Sequence, residues 1–408
     1  FVGASVLCAL APSQEVLVLA RFVQGAGGAM ASAVVLGMIV TMFPEPREQA
    51  KALGAYMFVA VAGGTIGLLV GGVITEAISW HWVFVLNVPI GVATVVLTLR
   101  LVTADEGLGL KAGADVLGGA LVTAALMLGV YALVGAESDG WVSFRTLGLG
   151  SIALLLLIAF VLRESSAREP LIPLRIFRSR NVSGANTVIV LTMAGMFAIG
   201  FLAALYLQRV LGYSPVEVGF AFLPATVVMG ALSLRYTAGL TGRFGARPVL
   251  LAGLLIVAAS LAWFARVPVD GDYAVDLLPA MLLQGIGAGL AFPALMTVAM
   301  SGVPPQDAGL ASGLVNTTQQ MGGALGLAVL ATLSATRSEE LRAAGDSAAE
   351  ALTGGYHLAF GIAAALVLVA VVLAAVVLQP APATDGEHEG AAAGEHEPAG
   401  EPAVGGIA

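Results

Sequence analysis

The sequence predicts an all-α protein that crosses a lipid bilayer many times, built as two like-oriented helical bundles with an extra pair of helices between them. Three observations predict it. Hydrophobic residues make up 58% of the 408-residue chain and charged residues 11%, at a mean hydropathy of +0.95, whereas a soluble chain carries roughly 25% charged residues. So few charges cannot build a water-facing surface, and lipid must be the solvent for most of the chain. Second, the apolar residues come in long unbroken runs instead of alternating ten-residue segments. That selects helices over a closed barrel, the two structures that satisfy every backbone group in lipid. Third, two helices and the loop between them recur in the same order, displaced by 260 residues.

Taken in order, the apolar runs lie at 1–10, 15–42, 52–77, 82–101, 114–134, 146–162, 182–207, 216–236, 247–265, 276–300, 310–333 and 356–378. A membrane-crossing helix needs about 20 residues. This gives eleven complete spans, 146–162 being the tightest, and a partial first one. Phe1 to Leu10 is apolar from its first residue, so the sequence is expected to begin partway through a membrane helix. Cys8 is the single cysteine; it excludes an internal disulfide and suits a small buried position. In the long loop 334–355, Ser338 to Leu352 is expected to form a short surface helix. The last segment, 379–408, is rich in Pro, Gly and Ala and holds six of the 26 acidic residues, with Gly-Glu-His-Glu at 386–389 and again at 394–397. It is expected to be a disordered acidic tail. The net charge of −8 therefore reflects the tail and points to no nucleic-acid partner.

Basic residues in the short loops set the orientation. One set of loops carries Arg47, Lys51, Arg100, Lys111, Arg163, Arg168, Arg175, Arg178, Arg180, Arg235, Arg243 and Arg247, twelve in all. The alternate set carries five: Arg145, Arg209, Arg266, Arg337 and Arg342. The first set is expected to face the cytoplasm, and the tail with it. Arginine outnumbers lysine 16 to 2, in keeping with a GC-rich bacterial source and a location in the bacterial plasma membrane.

The repeat sharpens the architecture. Val23-Gln24-Gly25-Ala26-Gly27 returns as Leu283-Gln284-Gly285-Ile286-Gly287, and Gly54, Gly63 and Gly67 return as Gly313, Gly322 and Gly326. Matching order and topology argue for a parallel duplication, with a central path between the halves. Corresponding helices stand eight spans apart rather than six, so 114–134 and 146–162 are the inserted pair. The expected divisions are a remainder of the first bundle at 1–101, an inserted hairpin at 102–163, a cytoplasmic linker at 164–181 and a six-helix bundle at 182–378.

The densest pattern is Gly54-x8-Gly63-x3-Gly67-Leu68-x2-Gly71-Gly72, followed by Trp80-His81-Trp82 and Asn87-Val88-Pro89-Ile90-Gly91. Gly63, Gly67 and Gly71 recur every fourth residue, a stripe that lets another helix backbone approach closely in lipid. The glycine spacing resembles the antiporter motif of the major facilitator superfamily, and the segment after it resembles the 14-helix drug:proton antiporters of that superfamily. Glu169-Pro170-Leu171-Ile172-Pro173-Leu174-Arg175-Ile176-Phe177 is similar to the linker into their second half. Ala238 to Arg247, ending Gly242-Arg243-Phe244-Gly245-Ala246-Arg247, is similar to the superfamily's Gly-rich basic cytoplasmic loop, so Arg243, Gly245 and Arg247 are its gating candidates. Two positions depart: Leu68 stands where the motif places Pro, and Gly242 where the loop usually carries Asp.

Arg21 is the one basic residue inside a span, about two turns or ~10 Å from a helix end. A cation there is costly unless it snorkels or works. Leu17-x3-Arg21-x2-Gln24-Gly25 resembles the family's fourth-helix motif, and the resemblance implies that Arg21, with Gln24, takes part in proton coupling. Gln284 is the second-half counterpart, with Met281 in place of an arginine. Met193, Met196, Phe197 and Phe292 are candidates for an adaptable apolar cavity, with Asn316, Gln319 and Gln320 as polar lining. No Asp or Glu lies deep in a span; Asp115, Glu217 and Asp276 sit at helix ends.

The resemblance implies a monomeric secondary transporter that exchanges protons for a hydrophobic or cationic small molecule, with the bilayer as its surroundings. The alternatives are an exporter or uptake carrier of the same superfamily with other coupling, or an inactive fragment. A nucleotide-driven pump would need a P-loop, whose pattern is missing from the sequence. A membrane enzyme would need clustered His, Cys or paired carboxylates. Four scattered His and one Cys do not provide them, and neither cofactor nor metal is expected.

Overall fold

A computed structural model of the chain describes residues 1–42, 59, 63–64, 66–67, 69–102, 115–167, 170–171, 177, 179–301 and 308–378. Gly54, Leu68, most of the linker motif and the tail lie outside the described residues. Among those described, all regular structure is helical. In chain order the helices are α1 (Val2–Ala9), α2 (Gln14–Met42), α3 (69–77), α4 (His81–Leu101), α5 (Val116–Asp139), α6 (Phe144–Ser166), α7 (Arg180–Arg209), α8 (Pro215–Phe244), α9 (Ala246–Phe264), α10 (Tyr273–Met300), α11 (Ala308–Ala343) and α12 (Ala348–Val377). Eight of them, α4 to α10 and α12, are long and apolar enough to cross a membrane by themselves. At 1.5 Å per residue, α2 and α11 are longer than the ~30 Å hydrocarbon layer as well.

Helices α7 to α12 share one apolar core, centred on Tyr206, Leu254, Leu261, Phe264, Met281 and Phe360. Phe264 and Phe360 pack with ring centroids 5.2 Å apart. In lipid no hydrophobic force pulls helices together, so close fit must do it, and glycines supply the fit. A Cβ on Gly253 of α9 would lie 2.8 Å from the Gly287 carbonyl of α10, and one on Gly287 would lie 2.8 Å from the Gly253 carbonyl. On α11, a Cβ on Gly322 would stand 2.7 Å from Val190 Cα, and one on Gly326 2.3 Å from Ala194 Cα, both on α7. Three glycines of the repeat, Gly287, Gly322 and Gly326, are therefore places where α10 and α11 meet their neighbours backbone to backbone, and Gly253, outside the repeat, does the same from α9.

Three π-helical turns interrupt this bundle, at Ile199–Ala203, Leu232–Tyr236 and Tyr273–Leu277. The first lies within α7, the second within α8, and the third opens α10. Hydroxyl and ring groups tie the bundle further. Ser260 Oγ donates to the Ala280 carbonyl at 2.7 Å, Tyr273 Oη to the Ala221 carbonyl at 2.8 Å, and His357 Nε2 meets the Val267 carbonyl at 2.7 Å.

Two expected loops turn out to be helix. Residues 334–355 do not hold a separate surface helix. Helix α11 runs on to Ala343, a left-handed Gly345 (φ 107°) stops it, and Ser347 starts α12 with a capping box to Glu350. The capping chemistry, not the drop in hydropathy, sets the boundary. Likewise α8 stays helical to Phe244, and the expected loop shrinks to Gly245, which turns the chain at φ 85°.

Helices α5 and α6 pair with each other, and α5 also rests against α11. At one end Asp139 meets Arg145 at 3.0 Å. At the other, Asp115 caps α5, accepting from the Gly118 amide at 2.9 Å and from Arg163 at 3.2 Å. The Gly118 amide first, and Arg163 second, hold the Asp115 carboxyl below the usual carboxylate range. A lowered folded-state value means stabilisation that is present above the unfolded carboxylate pKa, near ~3.9, and lost as pH falls through the folded one. The thermal midpoint of the purified protein should thus exceed that of Asp115→Asn at pH 6, and the gap should close as pH falls toward 3. A gap that does not narrow rules out this linkage.

Candidate functional site

Helices α1, α2 and α4 enclose a polar cluster. Arg21 and Gln24 lie three apart on one face of α2, and Arg21 Nη1 donates to Gln24 Oε1 at 2.6 Å. Gln24 Nε2 donates to Ser5 Oγ on α1 at 2.7 Å, and Ser5 Oγ donates in turn to the Phe1 carbonyl at 3.1 Å. Cys8 Sγ points at Gln24 Oε1 from 3.9 Å. Gln24 is 2% exposed and Ser5 fully buried, so this relay answers the cost of placing an amide away from water. Helix α1 reaches α2 because Gly27 has no side chain; a Cβ there would lie 2.9 Å from Phe1 Cα.

The guanidinium of Arg21 stays exposed at the edge of the cluster, 5.7 Å from the centroid of the Phe84 ring on α4. Trp80 stands edge-on to Phe84, with His81 stacked on it at 3.7 Å and held by Ser79 at 2.8 Å. Arg21 has no carboxylate partner among the described residues. The arrangement is a cation on a polarisable rail, open on one side to an anion or a titrating acid. Sequence reasoning identified Arg21 and Gln24 but missed Ser5, whose only signal was a small hydroxyl three residues before Cys8.

The glycine stripe behaves differently at its two ends. No described residue comes within 4 Å of a Cβ placed on Gly63 or Gly67, and one on Gly71 only grazes Val83 at 3.9 Å. Gly72 is the tight position: its Cβ would lie 2.8 Å from the Pro215 carbonyl of α8. Among the described residues the close approach expected of Gly63, Gly67 and Gly71 is thus found at none of the three; it falls one residue off the stripe, at Gly72, where the first half meets the second.

In the second half the candidates separate. Met193, expected to face a cavity, is 2% exposed and packed in the core. Met196 and Phe292 are half-buried against the same core. Phe197 is exposed, its ring lying against Gly323 of α11. Asn316 and Gln319 are half-buried and Gln320 is exposed. Gln284 keeps its Oε1 buried with no partner among the described residues, as do Thr192 Oγ1 and Asn186 Oδ1 on α7, two polar groups that the sequence reading passed over. Arg243 lies over the Phe244 ring at 5.2 Å. Arg247, beyond Gly245, donates to the Ala375 carbonyl in the last turn of α12, which makes it a clasp on a helix end. A separate cavity of 510 Å³ lies between α7, α11 and α12, and none of the residues chosen from sequence lines it.

Comparison with known proteins agrees with this architecture. The sequence profile of the Major Facilitator Superfamily matches residues 1–327. The chain is 36% identical over 381 residues to the puromycin resistance protein of Streptomyces alboniger, covering 92% of this chain and 75% of that protein. It is 37% identical over 336 residues to the cephamycin export protein of Amycolatopsis lactamdurans, covering 82% and 69%. To the tetracenomycin C resistance and export protein of Streptomyces glaucescens it is 36% identical over 338 residues, covering 83% and 62%. Among solved structures, an auto-inhibited POT family peptide transporter superposes with a TM-score of 0.57 at 18% identity, over 93% of this chain and 81% of that one. That likeness concerns the fold alone.

Proposed function

Because the chain belongs to the Major Facilitator Superfamily, we propose that it is a secondary transporter that exports hydrophobic or cationic small molecules in exchange for protons. The two halves, 1–101 and 182–378, rock about a central path, with 102–163 as an inserted hairpin and 164–181 as a linker. The basic loops and the tail face the cytoplasm of a bacterial plasma membrane, and the working unit is a monomer. The relatives named for resistance and export support the direction of transport. The observation that carries the coupling is Arg21, a cation with no carboxylate partner among the described residues, anchored through Gln24 to buried Ser5.

Chemically, the Arg21 side chain supplies a permanent positive charge. Its role is to hold a nearby carboxylate ionised until substrate or a change of access displaces the pair. One elementary charge crossing 100 mV supplies about 2.3 kcal/mol, enough for a gradient of roughly 50-fold. Gly72 against Pro215 is a close contact between the halves that such a motion must accommodate.

Proteoliposomes with an imposed pH gradient and a fluorescent hydrophobic cation such as ethidium test this. The gradient should collapse faster when the cation is present, and the cation should move against its own gradient only while the pH gradient lasts. Cation movement indifferent to the pH gradient would overturn the exchange.

A further inference from the structure

At the membrane face where α7 and α11 end and α12 begins, a cavity of 510 Å³ opens between the three helices. Its deeper wall is mostly hydrocarbon, with Phe201 and Leu205 of α7, Ala331 of α11 and Leu352 of α12, and the hydroxyls of Ser334 and Tyr356 beside them. Its lip carries Arg209 in the last turn of α7 and Arg342 in the last turn of α11. Glu339 is the single carboxylate in the lining. Neither arginine forms an ion pair with it or with any other carboxylate among the described residues. Ala348, the first residue of α12, also lines the cavity, and the capping box of Ser347 and Glu350 closes that helix end.

We propose that this cavity holds an acidic phospholipid, its phosphate between Arg209 and Arg342 and one acyl chain descending along Phe201, Leu205 and Leu352. The vertical order of the lining carries the argument. Guanidinium groups stand at the helix ends, where headgroups lie, and apolar side chains stand one to two turns deeper, where acyl chains lie. A guanidinium favours an oxyanion that it can grip with two donors. The volume falls within the ~300–1,000 Å³ that takes a drug-sized ligand, far more than a phosphate fills. Dipole compensation at two helix C-termini explains each arginine singly but not the apolar hollow beneath both.

Native mass spectrometry of the purified full chain tests this with three probes: phosphatidylglycerol, phosphatidylcholine with the same acyl chains, and inorganic phosphate. Phosphatidylglycerol should be retained about tenfold better than phosphatidylcholine, and millimolar phosphate should not displace it. Arg209→Gln with Arg342→Gln should reduce retention about tenfold. Leu205→Trp, which fills the hollow and leaves both charges, should reduce it as well. The two variants act on opposite ends of the ligand, so a folding defect in one leaves the other to decide. Equal retention of the two lipids, displacement by phosphate, or full retention in Leu205→Trp overturns the proposal, the last two by reducing the site to a patch of surface charge.

Discussion

Gly322→Val should destabilise the protein by about 3 kcal/mol, the upper end of what overpacking a close-fitted interior costs. The reason is the identity of the atoms in the way. A Cβ at position 322 would stand 2.7 Å from Val190 Cα and 2.9 Å from the Val190 carbonyl oxygen. Both are backbone, so no rotamer change relieves the clash, and α11 must lift off α7. Gly326→Val should act in the same direction, since its Cβ would sit on Ala194. Gly361→Val on α12 is the control, because nothing described lies within 4 Å of its Cβ; it should stay within about 0.5 kcal/mol of the parent. Thermal midpoints in one detergent compare the three. If Gly322→Val melts with the control, the backbone contact between α7 and α11 is wrong.

Arg21→Ala should reduce substrate-dependent proton flux in vesicles by roughly tenfold or more, the equivalent of losing ~1.4 kcal/mol of coupling. Arg21→Lys should restore part of that flux, because it keeps the charge while losing the fixed fork that reaches Gln24. Ser5→Ala separates coupling from support. It strands the Gln24 amide in a buried site, at a cost of about 1–3 kcal/mol in stability, yet leaves the charge on Arg21. The melting point should fall while the pH profile of transport keeps its shape. If Ser5→Ala shifts the profile as far as Arg21→Ala does, the cluster acts as a unit and Arg21 has no separate role in coupling.

Much of the fold was legible because lipid imposes a coarse rule: long apolar runs must be helices, and a repeat of two helices and a loop implies a duplicated bundle. What stayed hidden has physical causes. Met193 was placed in a cavity and lies in the core, because lipid-facing, core-facing and cavity-facing sides of a membrane helix are all apolar and periodicity cannot separate them. The boundaries at 334–355 and 238–247 were misread because hydropathy falls at the membrane surface while helices end at a cap. Gly345, Ser347 and Gly245 ended or began them, several residues away from the polar punctuation. Ser5 was missed because hydroxyls are common in membrane helices, and only its position opposite Gln24 distinguishes it. Glycine spacing alone does not fix contact: Gly322 and Gly326 meet α7 backbone to backbone, whereas nothing described comes within 4 Å of a Cβ on Gly313, Gly63 or Gly67.

A single residue, Gly245, joins a helix of 30 residues to one of 19. The corner is one residue wide, and Arg247, two residues past it, donates to the Ala375 carbonyl in the last turn of α12. The ends of three helices therefore converge on one spot, two of them joined through a single glycine and the third held by a single arginine.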